Sequence, residues 1–168
     1  DAISVVEIAG RAVAFLPRHG RGHRLLPTEV NSRANLCALK SIGVEQVIAF
    51  SAVGSLKEAL KPLDFVVPSQ LIDRTRHRPD TYFGGGGVGH VGFADPFCSR
   101  LAGLARDAIR DQNLPGGQIG ETLVCMEGPL FSTRAESGHH RAIGAGLINM
   151  SALPEAKLAR EAELCYAL

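Results

Sequence analysis

Apolar residues in this chain fall in short runs, and the spacing within each run separates strands from helices. Residues 3–8 and 11–16 read as two strands joined by the turn Ala9-Gly10. Residues 44–52, centred on Gln46-Val47-Ile48-Ala49-Phe50, predict a buried strand, and residues 64–73 predict another. Pro68 in the latter cannot donate to a ladder, which argues against a place at the sheet centre. Residues 119–126 and 146–150 also have strand length, each followed by a polar turn and a helix-compatible segment. One helix is predicted from Thr28, a capping residue, to about residue 42 with Gly43 ending it; another covers residues 97–112. A closing helix starts near Pro154, which suits a first helical turn, and Glu155 there complements the dipole. Ala152, Ala156, Ala159 and Ala162 give it a small-residue face, and Lys157 and Glu161 are spaced for an ion pair on its wet side. A new strand begins near Tyr166. Strands alternate with helices, so the fold class is α/β, with a mixed, mainly parallel sheet flanked by helices. Residues 74–92, with Gly84-Gly85-Gly86-Gly87 in a row, carry no period and read as a loop, either mobile and functional or merely flexible.

Length and composition add limits. The 168 residues fit one domain with a sizeable core. The chain opens with Asp1 almost inside a strand and stops as another starts, so residues 1–168 read as a single domain cut at both ends. Lys plus Arg number 18 against 17 Asp plus Glu, and a net charge of +1 gives no electrostatic case for binding nucleic acid or a membrane. Any anion site must therefore be local. Cys37, Cys98, Cys125 and Cys165 form no CxxC and no metal-ligand spacing; they read as reduced, buried thiols, which favours a cytoplasmic home. No run has the character of a transmembrane span, and no signal-peptide pattern opens the chain.

Three stretches could carry chemistry. In Pro17-Arg18-His19-Gly20-Arg21-Gly22-His23-Arg24, three Arg and two His within seven residues suit an oxyanion, because Arg forks match its oxygens and glycines let backbone approach it. A solvated basic loop is the alternative. Ser51-Ala52-Val53-Gly54-Ser55 follows a strand, and a small-residue turn there can offer backbone N–H groups to an anion. No Gly-Lys-Ser/Thr follows, so it is not a Walker loop. Ligands of open α/β sheets bind at the C-terminal ends of strands. Phe131 stands there beside Ser132 and Thr133, and Met150 beside Ser151. Such apolar–hydroxyl pairs either hold a ligand with a flat face and several oxygens or simply pack under loops. His139-His140 invites a metal reading, but adjacent helical residues point apart. Without a Gly-x-Ser-x-Gly elbow, Ser51 and Ser132 do not read as hydrolase nucleophiles.

Seven stretches then follow one another in a telling order: Pro17-Arg18-His19-Gly20; Val30-Asn31 with Ala34-Asn35; Ser51 to Leu56; Asp73-Arg74-Thr75; His90 with Asp95-Pro96-Phe97; Met126-Glu127-Gly128-Pro129 with Phe131 to Ser137; and Asn149-Met150-Ser151 with Pro154-Glu155-Ala156. Together they resemble the purine nucleoside phosphorylases, most closely their methylthioadenosine phosphorylase branch, through nearly the whole chain.

The resemblance implies a purine nucleoside phosphorylase-like fold and a pentosyltransferase that cleaves an N-glycosidic bond with inorganic phosphate. The substrate it implies is S-methyl-5′-thioadenosine, giving adenine and 5-methylthioribose 1-phosphate. A different base preference (a purine nucleoside or methylthioinosine) and a non-catalytic nucleoside-binding fragment of the same fold are the alternatives. Arg18, His19, Ser51 and Ser151 match phosphate-binding positions, and Ala52 matches one that donates its backbone N–H. Phe131 matches the ring against the purine, while Met150 and Asn149 match residues lining the ribose pocket. His90 matches a residue that reaches a neighbouring subunit's site beside the 5′ substituent, which implies a homotrimer. Apolar neighbours of His90 (Val88, Val91, Phe93) suit a methylthio group there better than a hydroxyl. No cofactor and no metal are implied, phosphate being a co-substrate, and the setting is cytoplasmic and nuclear. No catalytic residue is assignable, because the acidic residues that assist leaving-group protonation are expected beyond Leu168. The chain departs from the family pattern at Gly146, where Asp is expected, at Gly92, where Pro is expected, and over residues 138–144, where bulkier sequence is usual.

Overall fold

The computed structural model describes residues 2–168. β1 (Ser4–Ile8) and β2 (Arg11–Phe15) form the predicted antiparallel hairpin, with Ala9 and Gly10 both at positive φ in its turn. α1 (Ser32–Ser41) is capped not by Thr28 but by Asn31, whose side chain accepts from the Ala34 N–H. The residues before it are tied in a turn of their own: the Glu29 N–H donates to the Leu26 carbonyl, and the Leu26 N–H donates to the Glu29 carboxylate.

β3 (Gln46–Ile48) is shorter than the strand predicted over residues 44–52, and it is not buried: Ile48 and Phe50 are 47% and 78% exposed. It pairs in parallel with β8 (Cys165–Ala167). The main sheet runs in the order β4 (Gly54–Ser55), β7 (Ala145–Asn149), β6 (Gly116–Met126), β5 (Phe65–Arg74). β5, β6 and β7 are parallel and β4 antiparallel, the mixed, mainly parallel sheet that the alternation of elements predicts. Pro68 lies in edge strand β5, and the register with β6 shifts on both sides of it, as a residue without an N–H requires. β6 starts earlier than residue 119. A Cβ on Gly116 would collide with the Phe65 carbonyl oxygen, so only glycine lets this strand begin so close to β5.

α2 (Ser99–Asp111) packs on β5, β6 and β8, α3 (Arg134–Ala142) on β7, and α4 (Glu155–Glu161) on α1 and β8. Thr133 and Glu136 form a capping box that fixes where α3 starts after the loop at the end of β6. Leu123, Leu147, Leu153 and Leu158 are fully buried, and Ala152, Ala156 and Ala159 form the expected close-packed face. Lys157 does not pair with Glu161. Its ammonium lies 2.7 Å from both Asp73 and Asp80, while Glu161 accepts from the Thr81 hydroxyl and the Tyr82 N–H. The end of β5 and the irregular loop after it lie against α4 and bring these partners nearer than the next helical turn does.

The cysteines also depart from expectation. Cys98, at the start of α2, is disulfide-bonded to Cys165 in β8, and Cys37 is exposed. The bonded pair is 67 residues apart in sequence, so no local spacing reveals it. Cys125 is a buried free thiol, and burial pushes it up to about 11. Among the described residues no helix is long and apolar enough to cross a membrane.

Candidate active site

The basic stretch after β2 is divided by its own backbone. The Gly20 N–H donates to the Pro17 carbonyl, and the His19 carbonyl accepts from the N–H groups of Arg24 and Leu25. In this tight fold Arg18 and His19 are partly buried while Arg21, Gly22, His23 and Arg24 stay at the surface. The solvated-loop reading therefore holds for residues 21–24, while Arg18 and His19 are turned inward. The Arg18 guanidinium donates through Nη1 to Glu155 Oε2 at 2.8 Å and through Nη2 to the Phe50 carbonyl at 2.5 Å. His19 Nδ1 lies 2.9 Å from the Leu25 carbonyl, and its ring stacks on that of His23. A carbonyl only accepts, so Nδ1 carries a hydrogen and donates it to Leu25.

Two hydroxyls meet this pair. Ser51, just beyond β3, and Ser151, just beyond β7, lie 2.9 Å apart through their Oγ atoms. Asn149, the last residue of β7, donates from Nδ2 to Ser51 Oγ at 3.1 Å. Asn149 is buried, so this bond anchors the hydroxyl pair to the sheet. Arg18, His19, Ser151 and Glu155 line one small cavity. The predicted phosphate residues Arg18, His19, Ser51 and Ser151 are thus joined from three separate strand ends. Ala52 follows directly, and its carbonyl accepts from the Ser51 hydroxyl at 3.1 Å.

Beside this cluster lies a platform made by the ends of β6 and β7. Arg78 builds it. Its guanidinium donates to the carbonyls of Met150, Leu153, Met126 and Glu127 at 2.7, 2.6, 3.3 and 2.5 Å, and its Nε lies 3.2 Å from the Glu127 carboxylate. Met150 lies over Gly128, at a φ of +72°, and a Cβ there would run into the Met150 sulfur. Phe131 follows this turn and is 88% exposed, so it is not a core residue. Ser132 is bonded to Ser137, and Thr133 accepts the Glu136 N–H in capping α3.

His90 is exposed in the glycine-rich loop, and among the described residues no contact joins it to the cluster. The loop is pinned just before it, where the Phe83 ring fills the place a Gly89 Cβ would take. His139 and His140 differ in surroundings: His140 is buried and His139 is exposed.

Three residues of the site are not legible as such in the sequence. Arg78 is one of three arginines in the run Arg74-Thr75-Arg76-His77-Arg78, and only its four carbonyl partners set it apart. Glu155 reads as a helix-start carboxylate, yet it is buried and accepts from both Arg18 and the Tyr166 hydroxyl. Burial holds its carboxyl above the ordinary range, against the pull of the Arg18 charge and the Tyr166 hydrogen bond. Tyr166 is itself raised well above the usual phenol range by burial and by the nearby carboxylate.

Compared with known proteins, residues 3–168 match the family described as the Phosphorylase superfamily. The chain belongs to the phosphorylase superfamily. It is 59% identical over 99% of its length to the S-methyl-5′-thioadenosine phosphorylase of Thermosynechococcus vestitus, and 58% identical over 98% of its length to that of Neurospora crassa. It spans 58% and 54% of those two proteins, so it corresponds to little more than half of either. Among solved structures it resembles a methylthioadenosine phosphorylase sourced from an Antarctic soil metagenomic library, with a TM-score of 0.95 and 52% identity over 98% of this chain and 58% of that one. The methylthioadenosine phosphorylase of Schistosoma mansoni in complex with adenine gives a TM-score of 0.94 and 38% identity, covering 98% of this chain and 67% of that one. These comparisons bear out both the resemblance and the fold it implies.

Proposed function

We propose that the protein to which these residues belong cleaves S-methyl-5′-thioadenosine with inorganic phosphate, releasing adenine and 5-methylthioribose 1-phosphate. The observation that carries this reading is the convergence of Arg18, His19 and Ser151 on one cavity, with Ser51 bonded to Ser151, beside the Met150 platform. The activity for which the relatives are named supports it. Phosphate held there is the nucleophile, and its charge offsets the oxocarbenium-like sugar that forms as the bond to the base stretches. The C1′–N bond breaks with its electron pair leaving on the purine, which takes up a proton, and a C1′–O bond to phosphate forms. The chain's own residues bind and orient the anion so that this displacement is effectively unimolecular. The acid that protonates the base belongs, on the family resemblance, further along the polypeptide. Phosphate is the co-substrate, and the reaction needs no cofactor or metal.

Phe131 is assigned to the purine face, Met150 and Asn149 to the ribose, and His90 to the 5′ pocket of a neighbouring subunit in a homotrimer. The same reading places the protein in the cytoplasm and nucleus, where a disulfide such as Cys98–Cys165 is exceptional.

The test is to incubate the whole encoded protein with methylthioadenosine, with and without phosphate. Adenine release that depends on phosphate and is matched by methylthioribose 1-phosphate is the expected result. Release independent of phosphate would make the protein a hydrolase and remove the reading. Phe131→Ala is expected to cost about 1–3 kcal/mol of nucleoside affinity, the usual worth of base–aromatic stacking. Because the ring is so exposed, stability should change by less than about 0.5 kcal/mol. A large drop in melting temperature with intact affinity would return Phe131 to the core.

A further inference from the structure

We infer that Glu155 and Tyr166 are positioning residues for the anion site: Tyr166 fixes the Glu155 carboxylate, and Glu155 aims the Arg18 guanidinium. This rests on the reading of Arg18 as a phosphate ligand. It adds two residues that need not touch phosphate at all.

The geometry forms a closed frame. Tyr166 belongs to β8 and pairs with Val47 of β3; its ring stacks on Phe97, and its carbonyl accepts from the Cys98 N–H. Its hydroxyl donates to Glu155 Oε2 at 2.9 Å, and the same oxygen accepts from Arg18 Nη1 at 2.8 Å. The second anchor of Arg18 is the Phe50 carbonyl, two residues beyond the C-terminal end of β3 in the same β3–β8 pair. The guanidinium is planar, so two fixed contacts at two of its nitrogens set the plane and direction of every remaining N–H. Both anchors trace back to one two-stranded unit, and that unit also ends in Ser51. Arg18 and the serine hydroxyls are therefore held in a common frame, although Arg18 arrives from a surface loop.

Energetics point the same way. The side chains of Arg18 and Glu155 are 13% and 10% exposed, and an apolar pair of similar size would be no less stable in such a place. A carboxylate beside an anion-binding arginine also weakens the electrostatic pull on the anion. Its retention makes sense where direction matters more than charge: a mobile arginine would have to be ordered each time phosphate binds.

The experiment compares Glu155→Gln, Tyr166→Phe, their double variant and Arg18→Ala in the whole encoded protein. It measures KM for phosphate, KM for methylthioadenosine, and direct binding of inorganic phosphate by calorimetry. Glu155→Gln is expected to weaken phosphate by about tenfold, equivalent to about 1.4 kcal/mol, with the nucleoside KM within about twofold of the parent. Tyr166→Phe is nearly isosteric and keeps the core filled, so it remains informative if the Glu155 variant folds poorly. It should weaken phosphate by about threefold, and the double variant should be no worse than Glu155→Gln alone, because Tyr166 acts through Glu155. Unchanged or tighter phosphate binding in both single variants, or equal rises in both KM values, overturns the inference. If Arg18→Ala weakens phosphate while both single variants do not, the inference falls and the phosphate site stands. If Arg18→Ala has no effect, the site and the inference fall together.

Discussion

Replacing Arg18 with alanine is expected to weaken inorganic phosphate by at least about 100-fold while purine binding survives. A hydrogen bond between charged partners is worth about 1.5–3 kcal/mol, and the guanidinium fork can present more than one to a phosphate. Removing two such hydrogen bonds together costs roughly 3 kcal/mol or more, which is the 100-fold expected. Arg18→Lys should recover little. A single ammonium cannot meet the Phe50 carbonyl, the Glu155 carboxylate and the anion at once. The alanine variant has a second signature, in stability against pH. Burial already raises Glu155 above its ordinary value in the folded chain, and losing Arg18 raises it further. The folded state then holds this proton more tightly than the unfolded state. Stability relative to the parent should therefore be best at acid pH and fall as pH rises from the unfolded value through the folded one. Calorimetric titration with phosphate measures the first effect, and urea melts at several pH values measure the second. Phosphate affinity equal to the parent's would remove the site.

Arg78→Met is expected to destabilise the fold by about 3–5 kcal/mol, the cost of removing one partner from a buried charged network. Arg78 is only 8% exposed and holds four carbonyls together with the Glu127 carboxylate. Methionine fills similar space but leaves those oxygens without their donor, and each loses its bond without regaining water. Since the carbonyls belong to the ends of both β6 and β7, the Met150 platform should loosen as well. On the proposed reading nucleoside KM should therefore rise along with the loss of stability, and the anion cluster should weaken as well, because Ser151 follows Met150 directly and Arg78 lines the same small cavity. Arg78→Lys should not rescue, because one ammonium cannot span carbonyls on two strands. A urea midpoint shift equivalent to less than about 1 kcal/mol would show that Arg78 is dispensable.

Local chemistry is legible in the sequence and distant pairing is not. The β1–β2 hairpin follows from Ala9-Gly10, and the mainly parallel sheet from the alternation of strand and helix. Thr28 has the chemistry of a cap, but Asn31 stands nearer the apolar face formed by Leu36 and Leu39, and burial of that face sets where α1 begins. The strand predicted over residues 44–52 pairs over Gln46–Ile48 with β8, a partner that lies far along the chain and that no local spacing reveals. Cys98–Cys165 and the two aspartates around Lys157 are hidden for the same reason. In the site, Arg18, His19, Ser51 and Ser151 are readable because each sits in a small motif of distinctive residue type. Glu155, Arg78 and Tyr166 are not, since a carboxylate, a cation and a phenol in ordinary positions gain their meaning only from what tertiary folding sets against them.

Gly146, where the family pattern has an aspartate, shows how such distant pairing leaves a trace. Glu121 of β6 places its carboxylate where a Gly146 Cβ would stand, and there it bonds Lys57. One acidic group thus occupies the spot from the neighbouring strand. A side chain introduced at Gly146 would make the Glu121 carboxylate swing aside, and shortening Glu121 alone would leave Lys57 without it. The two positions are coupled. Across relatives they should therefore change hands together, glutamate with glycine and a shorter residue with aspartate, although either substitution viewed singly looks like neutral drift.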